Sequence, residues 1–405
     1  EAIKILAERA GITLHLQESS GEKESAVTTE LYRIMEMACS FFEDCLAKTA
    51  DQQLKKYLTS RHLDQEALRN LRIGLAPSDW DHLLNVLRSK GISINLIEKA
   101  GLIVAKESGG YYDRFRNRLI IPIHDARSRI VAFGARALDE GTPKYINSPE
   151  TPIYTKGKNL FGLHLAKDSI RENDYAVIVE GYFDVIMPLQ QKLTNIVASS
   201  GTALTCEQIR LLKRYSRNVV VVFDADKAGQ LATLRSLELF LEEEMQVRIV
   251  DLPKGYDPDL FVRELGVEKF KAFINKAHNI FDYKLKILSA TYDKNKLEEK
   301  TKIALEMLAT IKKIKSAILR SEYIKFLAER LSIHENILIK ELENIKVSAT
   351  ANEWFLKKTE TAHAPHPKAE RMLLRLLLDD IGVIESIKDA LMPTDFQDKK
   401  IQEIL

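Results

Sequence analysis

The sequence predicts an α/β protein in three parts: a mixed α/β amino-terminal subdomain, a central parallel sheet and a carboxyl-terminal helical bundle. Between residues 174 and 252, short apolar runs alternate with helical stretches, which is typical of a parallel sheet with crossover helices. The chain before this region is mainly helical up to about residue 109, and the chain after residue 260 is helical to 345. A length of 405 residues is enough for two or three domains.

Composition excludes several classes of protein. Hydrophobic residues make up 45% and charged residues 29% of the chain, which fits a folded protein with apolar cores rather than a disordered one. No apolar run approaches the ~20 residues of a membrane-spanning helix, so no membrane partner is expected. Sixty basic and 58 acidic residues give a net charge of +2, which neither requires nor excludes a nucleic-acid partner.

Three cysteines, Cys39, Cys45 and Cys206, are too few for a disulfide framework or a four-cysteine zinc site. They fit the reducing cytoplasm, which is the expected location. The chain starts at Glu1 with no methionine and no signal peptide, so a fragment of a longer protein is expected.

Helical periodicity covers most of the amino-terminal part. Residues 1–13 read as a short amphipathic helix, and residues 17–25 are polar and linker-like. From Thr28 onward, apolar residues recur at helical spacing. Further helices are predicted near residues 51–60, 64–70, 80–89 and 94–100.

Short apolar runs mark the strands. Residues 119–123 and 130–133 flank the polar stretch 125–128 and predict a hairpin or meander. The strands of the parallel sheet are predicted at 176–179, 195–198, 218–223 and 247–252.

Acidic residues follow three strands of the predicted parallel sheet. The first strand ends at Glu180, with Asp184 one helical turn later; the second ends at Asp224 and Asp226; the third leads to Asp257 and Asp259. Because ligands of open parallel sheets gather at the carboxyl ends of strands, these carboxylates should converge on one edge.

Six neighbouring carboxylates would raise one another's pKa values unless cations neutralise them. Carboxylate oxygens suit Mg²⁺ or Mn²⁺, and two such ions ~3.5–4 Å apart are the usual arrangement for phosphoryl transfer. A single acid after a strand is more often a helix cap than a ligand, so the order of the three clusters carries the prediction.

The segment 174–259 resembles a Toprim domain, which primases, topoisomerases and some nucleases share. Residues 199–205 (SSGTALT) resemble the loop of bacterial DNA primases, as do residues 72–77 (RIGLAP), 112–118 (YDRFRNR) and 143–150 (PKYINSPE). The resemblance to bacterial DNA primases covers residues 28 to about 345. The sequence given lacks that family's amino-terminal zinc-binding domain, so zinc is expected only in a domain missing from this chain.

The resemblance implies the following domain organisation. Residues 1–27 end the linker from a zinc domain, 28–172 form the amino-terminal template- and nucleotide-binding subdomain, and 173–260 form the catalytic Toprim domain. Residues 261–345 form a helical subdomain, 346–368 a linker, and 369–405 the start of a truncated helicase-binding domain.

The resemblance also implies roles for individual residues. Glu180, Asp224 and Asp226 are expected to be catalytic, and these three are expected to bind two or more Mg²⁺ or Mn²⁺ ions together with Asp184, Asp257 and Asp259. The expected nucleotide- or template-binding residues are Arg72, Arg114, Arg116, Arg136, Lys144, Tyr145, Asn147 and Lys156. Residues 111–136 contain six arginines and two aspartates with tyrosines interleaved, a mixture that suits single-stranded nucleic acid.

The leading hypothesis is a DNA-dependent RNA polymerase that makes short RNA primers on single-stranded DNA from ribonucleoside triphosphates. Expected partners are the RNA primer, the replicative helicase and a single-strand DNA-binding protein. The alternatives are a topoisomerase-like or nuclease Toprim enzyme, and a non-catalytic DNA-binding adaptor. A topoisomerase would need a large DNA gate, and an adaptor would be expected to have lost at least one acidic residue.

Overall fold

The computed structural model describes residues 20–138, 143–201, 204–222 and 239–345. The predictions for residues 1–19, for Asp224 and Asp226, and for the linker and helicase-binding segment after residue 345 lie outside these ranges. No helix among the described residues is both long enough and apolar enough to cross a membrane.

In the described residues of the amino-terminal part, five helices pack around a four-stranded antiparallel sheet. The helices are α1 (Ser20–Lys48), α2 (Gln52–Ser60), α3 (Gln65–Asn70), α4 (His82–Ser89) and α5 (Ile94–Lys99). The strands lie in the order β1 (Gly74–Ala76), β4 (Arg118–His124), β5 (Ile130–Ala137) and β6 (Tyr145–Asn147). A separate antiparallel pair consists of β2 (Ile103–Ala105) and β3 (Tyr111–Asp113). The predicted helices and hairpin are therefore present.

Helix α1 lies against the four-stranded sheet through a stripe of buried side chains at three- and four-residue spacing. Leu31, Ile34, Met35 and Phe42 are at most 1% exposed. A Cβ atom at Gly74 in β1 would lie 2.5 Å from the backbone carbonyl carbon of Phe42. Glycine at this position therefore lets the helix approach the sheet closely.

The second sheet is mainly parallel, as the alternation of strands and helices predicts. Its described strands lie in the order β11 (His278–Asn279), β10 (Gln246–Val250), β9 (Asn218–Val222), β7 (Ala176–Val179) and β8 (Ile196–Ala198). All pairs are parallel except that of β10 with β11. The helices around it are α6 (Leu163–Asn173), α7 (Tyr182–Gln190), α8 (Cys206–Lys213), α9 (Pro258–Leu265) and α10 (Val267–Asn275).

The remaining helices are α11 (Ile280–Thr291), α12 (Leu297–Lys312), α13 (Ala317–Leu331) and α14 (Glu335–Asn344). The chain divides into two compact units, residues 1–303 with 313–323 and residues 304–312 with 324–405. The first unit contains both sheets. Within the second, Lys312 Nζ donates to the carbonyl oxygen of Leu342 at 3.0 Å. The predicted helical region after residue 260 is confirmed.

Two histidine rings stack where the amino-terminal sheet meets helix α6. The ring centroids of His124, at the end of β4, and His164, in α6, lie 4.1 Å apart with an interplanar angle of 25°. Both Nδ1 atoms are buried without a hydrogen-bond partner. Burial lowers the pKa of His124 to about 4 and that of His164 to about 3, and the adjacent ring adds to the effect on His164. Both rings are therefore neutral in the folded protein at neutral pH.

This histidine pair should make the protein less stable in mild acid. In the unfolded chain each imidazole titrates near 6.5, so between about pH 6.5 and 4 the unfolded state binds more protons than the folded state. The contribution to stability is complete above pH 6.5 and is lost as the pH falls toward 4. Urea unfolding of wild type and His164→Phe at pH 7.5 and 5.0 tests this, because phenylalanine keeps the stacking and removes one titration. An equal loss of stability in both proteins would contradict the prediction.

Candidate active site

Glu180 lies at the carboxyl end of β7, directly before the turn into helix α7. The strand is buried along its whole length, and Glu180 is the first residue of this segment with partial exposure. Its carbonyl oxygen accepts a hydrogen bond from Gly201 N at 3.2 Å, which ties it to the loop that follows β8. The strand end therefore presents Glu180 in the predicted position.

Asp184 is buried and joins the Glu180 turn to helix α9. Its Oδ2 accepts a hydrogen bond from Gly181 N at 2.9 Å, and its Oδ1 accepts one from Asp259 N at 3.2 Å. A carboxylate at this point of a helix also interacts favourably with the helix dipole. Both oxygens of Asp184 therefore support the backbone on either side of the acidic edge.

Asp257 and Asp259 begin helix α9, but their surroundings differ. Asp257 is the N-cap residue, and its Oδ1 accepts from Leu260 N at 2.6 Å. The side chain of Asp259 is 3% exposed; its oxygens lie 2.6 Å from Arg61 Nη1 and 3.3 Å from Arg263 Nε. Burial raises the pKa of Asp259, and the two guanidinium groups oppose that shift. The charge of Asp259 is thus already balanced by protein cations.

The chemistry of the acidic edge fits Mg²⁺ or Mn²⁺, because its donors are carboxylate oxygens. Within the described ranges, no three acidic, histidine or cysteine side chains are arranged to hold a metal ion. Asp224 and Asp226, which follow β9, lie outside these ranges.

Arg136 is a buried cation held by aromatic rings. Its guanidinium carbon lies 5.4 Å from the ring centroid of Tyr57, 4.9 Å from that of Tyr145 and 5.0 Å from that of Phe183. It is 6% exposed, donates through Nη1 to Tyr145 Oη, and its Nε has no hydrogen-bond partner. Burial raises the pKa of Tyr145 to about 12, and the Arg136 charge opposes the shift. Phe183 belongs to α7, so this cation lies beside the start of that helix.

Asn147 and Lys156 lie on the same side of that helix start. In the amide orientation that satisfies both neighbours, the Asn147 nitrogen donates to Tyr182 Oη at 2.7 Å and its oxygen accepts from Lys156 Nζ at 3.1 Å. Burial lowers the pKa of Lys156. Gln208 Nε2 donates to the carbonyl oxygen of Asn159 at 2.7 Å and so fixes the turn that carries Lys156. The structure therefore brings together four predicted binding residues: Arg136, Tyr145, Asn147 and Lys156.

A second basic and aromatic group lies at the β2–β3 ribbon. The Arg116 guanidinium carbon lies 4.2 Å from the ring centroid of Trp80 and 4.8 Å from that of Tyr112. Trp80 is 59% exposed. Together with Lys106 these residues line an open hollow of about 550 Å³. We call Trp80, Lys106, Tyr112 and Arg116 the aromatic platform.

The other predicted binding residues have different surroundings. Arg72 pairs with Glu36 at 2.6 Å and Glu43 at 2.7 Å. Arg114 Nε donates to the carbonyl oxygen of Gly101 at 3.0 Å, and burial lowers the pKa of Arg114. Lys144 is exposed. The contacts of Arg72 and Arg114 support the amino-terminal fold, and their predicted roles in binding stay predictions.

Sequence reasoning missed Arg61, Trp80 and Lys106. Arg61 was not considered because its acidic partner Asp259 is 198 positions away. Trp80 stands in the short polar stretch before helix α4, although the sequence predicts it at the start of a helix near residues 80–89. An isolated tryptophan among turn residues was the available signal, since a ring outside any apolar stripe has no predicted core to join.

Three family descriptions match the chain. Residues 41–167 match the amino-terminal domain of the DNA primase catalytic core, and residues 177–262 match the Toprim-like family. Residues 281–336 match the DnaB-helicase binding domain of primase. That match precedes residues 369–405, which sequence analysis assigned to helicase binding, and the predicted domain boundaries stay predictions.

Curated relatives and solved structures agree with these matches. The DNA primase of Halalkalibacterium halodurans is 35% identical over 96% of this chain and 68% of its own length. The DNA primase of Clostridium acetobutylicum is 36% identical over 100% of this chain and 69% of its own length. A DNA primase domain from Pseudomonas aeruginosa has a TM-score of 0.71 at 36% identity, covering 77% of this chain and 99% of that one. A DnaG primase catalytic domain bound to ssDNA has a TM-score of 0.70 at 33% identity, with the same coverage.

The chain belongs to the DNA primase family, the enzymes that synthesise RNA primers for DNA replication. The predicted resemblance, fold class and enzyme activity are thereby confirmed. The assignment of individual site residues stays a prediction.

Gly134→Ala should destabilise the protein, because a Cβ atom at this position of β5 would lie 2.5 Å from the Tyr182 ring. Overpacking of this kind costs ~1–3 kcal/mol. Chemical denaturation of Gly134→Ala, Tyr182→Ala and the double variant measures the coupling. The cost of Gly134→Ala should be smaller in the Tyr182→Ala background; an equal cost in both backgrounds would show that the strain lies elsewhere.

Proposed function

We propose that this chain extends RNA primers on single-stranded DNA with Glu180, Asp224 and Asp226 as its catalytic carboxylates. The observation that carries this proposal is the start of helix α7. Glu180 lies directly before the turn into this helix. Tyr182, the first residue of the helix, contacts Asn147, which accepts from Lys156, and the next residue, Phe183, contacts the guanidinium of Arg136. Carboxylates for divalent cations and cations for phosphates thus meet at one helix end.

The residues of this site divide the work of nucleotidyl transfer. Arg136 and Lys156 bind the triphosphate of the incoming ribonucleotide, and the Arg136 fork suits phosphate oxygens. Glu180, Asp224 and Asp226 would hold Mg²⁺ or Mn²⁺, which supplies charge neutralisation and activates the attacking hydroxyl. Tyr145 and Asn147 position Arg136 and Lys156, and Asp184, Asp257 and Asp259 support the acidic edge. Most of the catalysis is positioning and electrostatic stabilisation.

The aromatic platform binds the template. Exposed rings beside cations suit single-stranded nucleic acid, since bases stack on the rings while Lys106 and Arg116 contact phosphates. The ssDNA-bound primase domain among the similar structures supports single-stranded DNA as a ligand. The helicase is a partner through residues 281–336, as the matched family description supports, with residues 369–405 as a further contact.

Incorporation of labelled ribonucleotides on single-stranded DNA tests the function. Asp226→Asn should lose this activity in Mg²⁺ while the fold is kept, because removing one charge from a repulsive cluster does not destabilise the metal-free protein. Asp251→Asn is the matched control, since Asp251 follows strand β10 but pairs with Lys286. Wild-type incorporation by Asp226→Asn, with unchanged far-UV circular dichroism, would refute the catalytic assignment.

Trp80→Ala should weaken binding of an oligothymidylate by about 1–3 kcal/mol, the usual contribution of one base–aromatic stack. Since tryptophan carries no charge, the dependence of affinity on salt should not change. Lys106→Ala is the comparison: it should reduce that salt dependence by about one released counterion. Fluorescence anisotropy between 50 and 300 mM salt distinguishes the two effects, and equal affinities for Trp80→Ala and wild type would exclude the platform from binding.

A further inference from the structure

The turn between helices α2 and α3 is fastened to the catalytic domain by polar contacts along the backbone. Arg263 Nη1 donates to the carbonyl oxygen of Ser60 at 3.3 Å, and Gln190 Nε2 donates to that of His62 at 3.1 Å. Asp64 N donates to Gln190 Oε1 at 3.3 Å. Helices α7 and α9 therefore both form hydrogen bonds with residues 60–64, which belong to the amino-terminal part.

Arg61 is the centre of this turn. Its side chain is 22% exposed and its Nη1 lies 2.6 Å from Asp259 Oδ2. The guanidinium carbon lies 5.3 Å from the ring centroid of Phe183 and 5.9 Å from that of Tyr57. The rings and the carboxylate fix the side chain from several directions, so its position is closely determined.

The contacts continue from Arg61 to the acidic edge through two steps. Asp259 N donates to Asp184 Oδ1, and Gly181 N donates to Asp184 Oδ2. Gly181 is the residue after Glu180. A displacement of Asp259 would therefore remove one of the hydrogen bonds that hold Asp184 and disturb the turn that follows Glu180.

We propose that Arg61 is a positioning residue for the acidic edge: through Asp259 and Asp184 it holds Glu180 in the geometry that binds the divalent cation. The proposal rests on the proposed function, in which Glu180 is a metal ligand. Arg61 acts from the amino-terminal part, so that part contributes to metal binding by the catalytic domain. Partners that orient a metal ligand commonly change metal affinity 10–100-fold when they are removed.

Electrostatics alone predicts the opposite effect. Removing a cation beside an acidic site lowers the local positive potential, so Arg61→Ala would tighten binding of Mn²⁺ if Arg61 acted only through its charge. If Arg61 contacted nucleotide or template phosphates instead, its loss would weaken those ligands and not Mn²⁺. The sign of the change in Mn²⁺ affinity therefore separates a positioning role from both others.

The experiment measures Mn²⁺ binding by electron paramagnetic resonance without nucleotide or DNA, together with thermal unfolding. We expect Arg61→Ala and Asp259→Asn each to weaken Mn²⁺ binding about tenfold. If the two residues act through one contact, the double variant should bind Mn²⁺ no more weakly than the single variant with the lower affinity. Arg61→Lys keeps the charge but not the planar fork, and should lose at least about threefold. If Arg61→Ala does not fold, Arg61→Lys provides the test in its place. Arg69→Ala, an exposed arginine in α3, should bind like wild type.

Unchanged or tighter Mn²⁺ binding by folded Arg61→Ala, or wild-type binding by Arg61→Lys, would overturn the positioning role. The proposed function has its own check in Glu180→Gln and Asp226→Asn. If these two variants bind Mn²⁺ as wild type does, the acidic edge is not the metal site and both proposals fail. If they lose Mn²⁺ while the Arg61 variants do not, only the role of Arg61 is refuted.

Discussion

The ion pair of Arg61 with Asp259 joins the turn between helices α2 and α3 to the start of helix α9, beside the acidic edge. Asp259 is almost fully enclosed, and a buried carboxylate without a partner is strongly destabilising. Arg263 of the same helix lies 3.3 Å from one oxygen of Asp259, and Arg61 brings a second cation to the other oxygen from the turn at residues 60–64. Such a pair adds little net stability compared with apolar packing, but it accepts one arrangement of its partners. The continuous apolar core across both sheets supplies the stability.

The sequence was most informative where a local pattern decides the structure. The stripe of Leu31, Ile34 and Phe42 predicts a buried helix face, and the all-valine strand 219–222 predicts the centre of a parallel sheet, because each pattern has one low-energy way to bury its side chains. The position of Glu180 could also be predicted, because it follows from the end of the strand alone.

The functions of the other described acids could not be read in this way. Asp184 lies in the first turn of α7, and Asp257 and Asp259 lie at the start of α9, beyond the loop that follows β10; there they cap helices or form ion pairs. The difference arises from partners such as Arg61, which is distant in sequence, and from backbone N–H groups whose directions depend on the finished fold. A motif gives the order of charged residues along the chain, whereas the surroundings that set their charge balance are tertiary.

The arginines of the amino-terminal part can be sorted by what holds them. Arg72 is paired with two glutamates and Arg61 with Asp259, so a phosphate would have to compete with a carboxylate for those donors. Arg136 and Arg116 are held mainly by aromatic rings, which orient a guanidinium through its face without neutralising its charge. In the proposed function, these ring-held arginines keep their positive charge for an incoming phosphate, while Nη1 of each donates to a protein oxygen.

This distinction explains the placement of the aromatic residues. Arg136 is surrounded by Tyr57, Tyr145 and Phe183 beside the start of helix α7. On the aromatic platform, Arg116 is supported by Trp80 and Tyr112. A carboxylate in either position would hold the arginine as firmly, but it would repel a nucleotide or a template strand. In the proposed function, the cations that bind phosphate must not pair with the acidic residues at the strand end in the absence of substrate. Aromatic surroundings achieve this for Arg136, which lies beside the helix that begins just after Glu180.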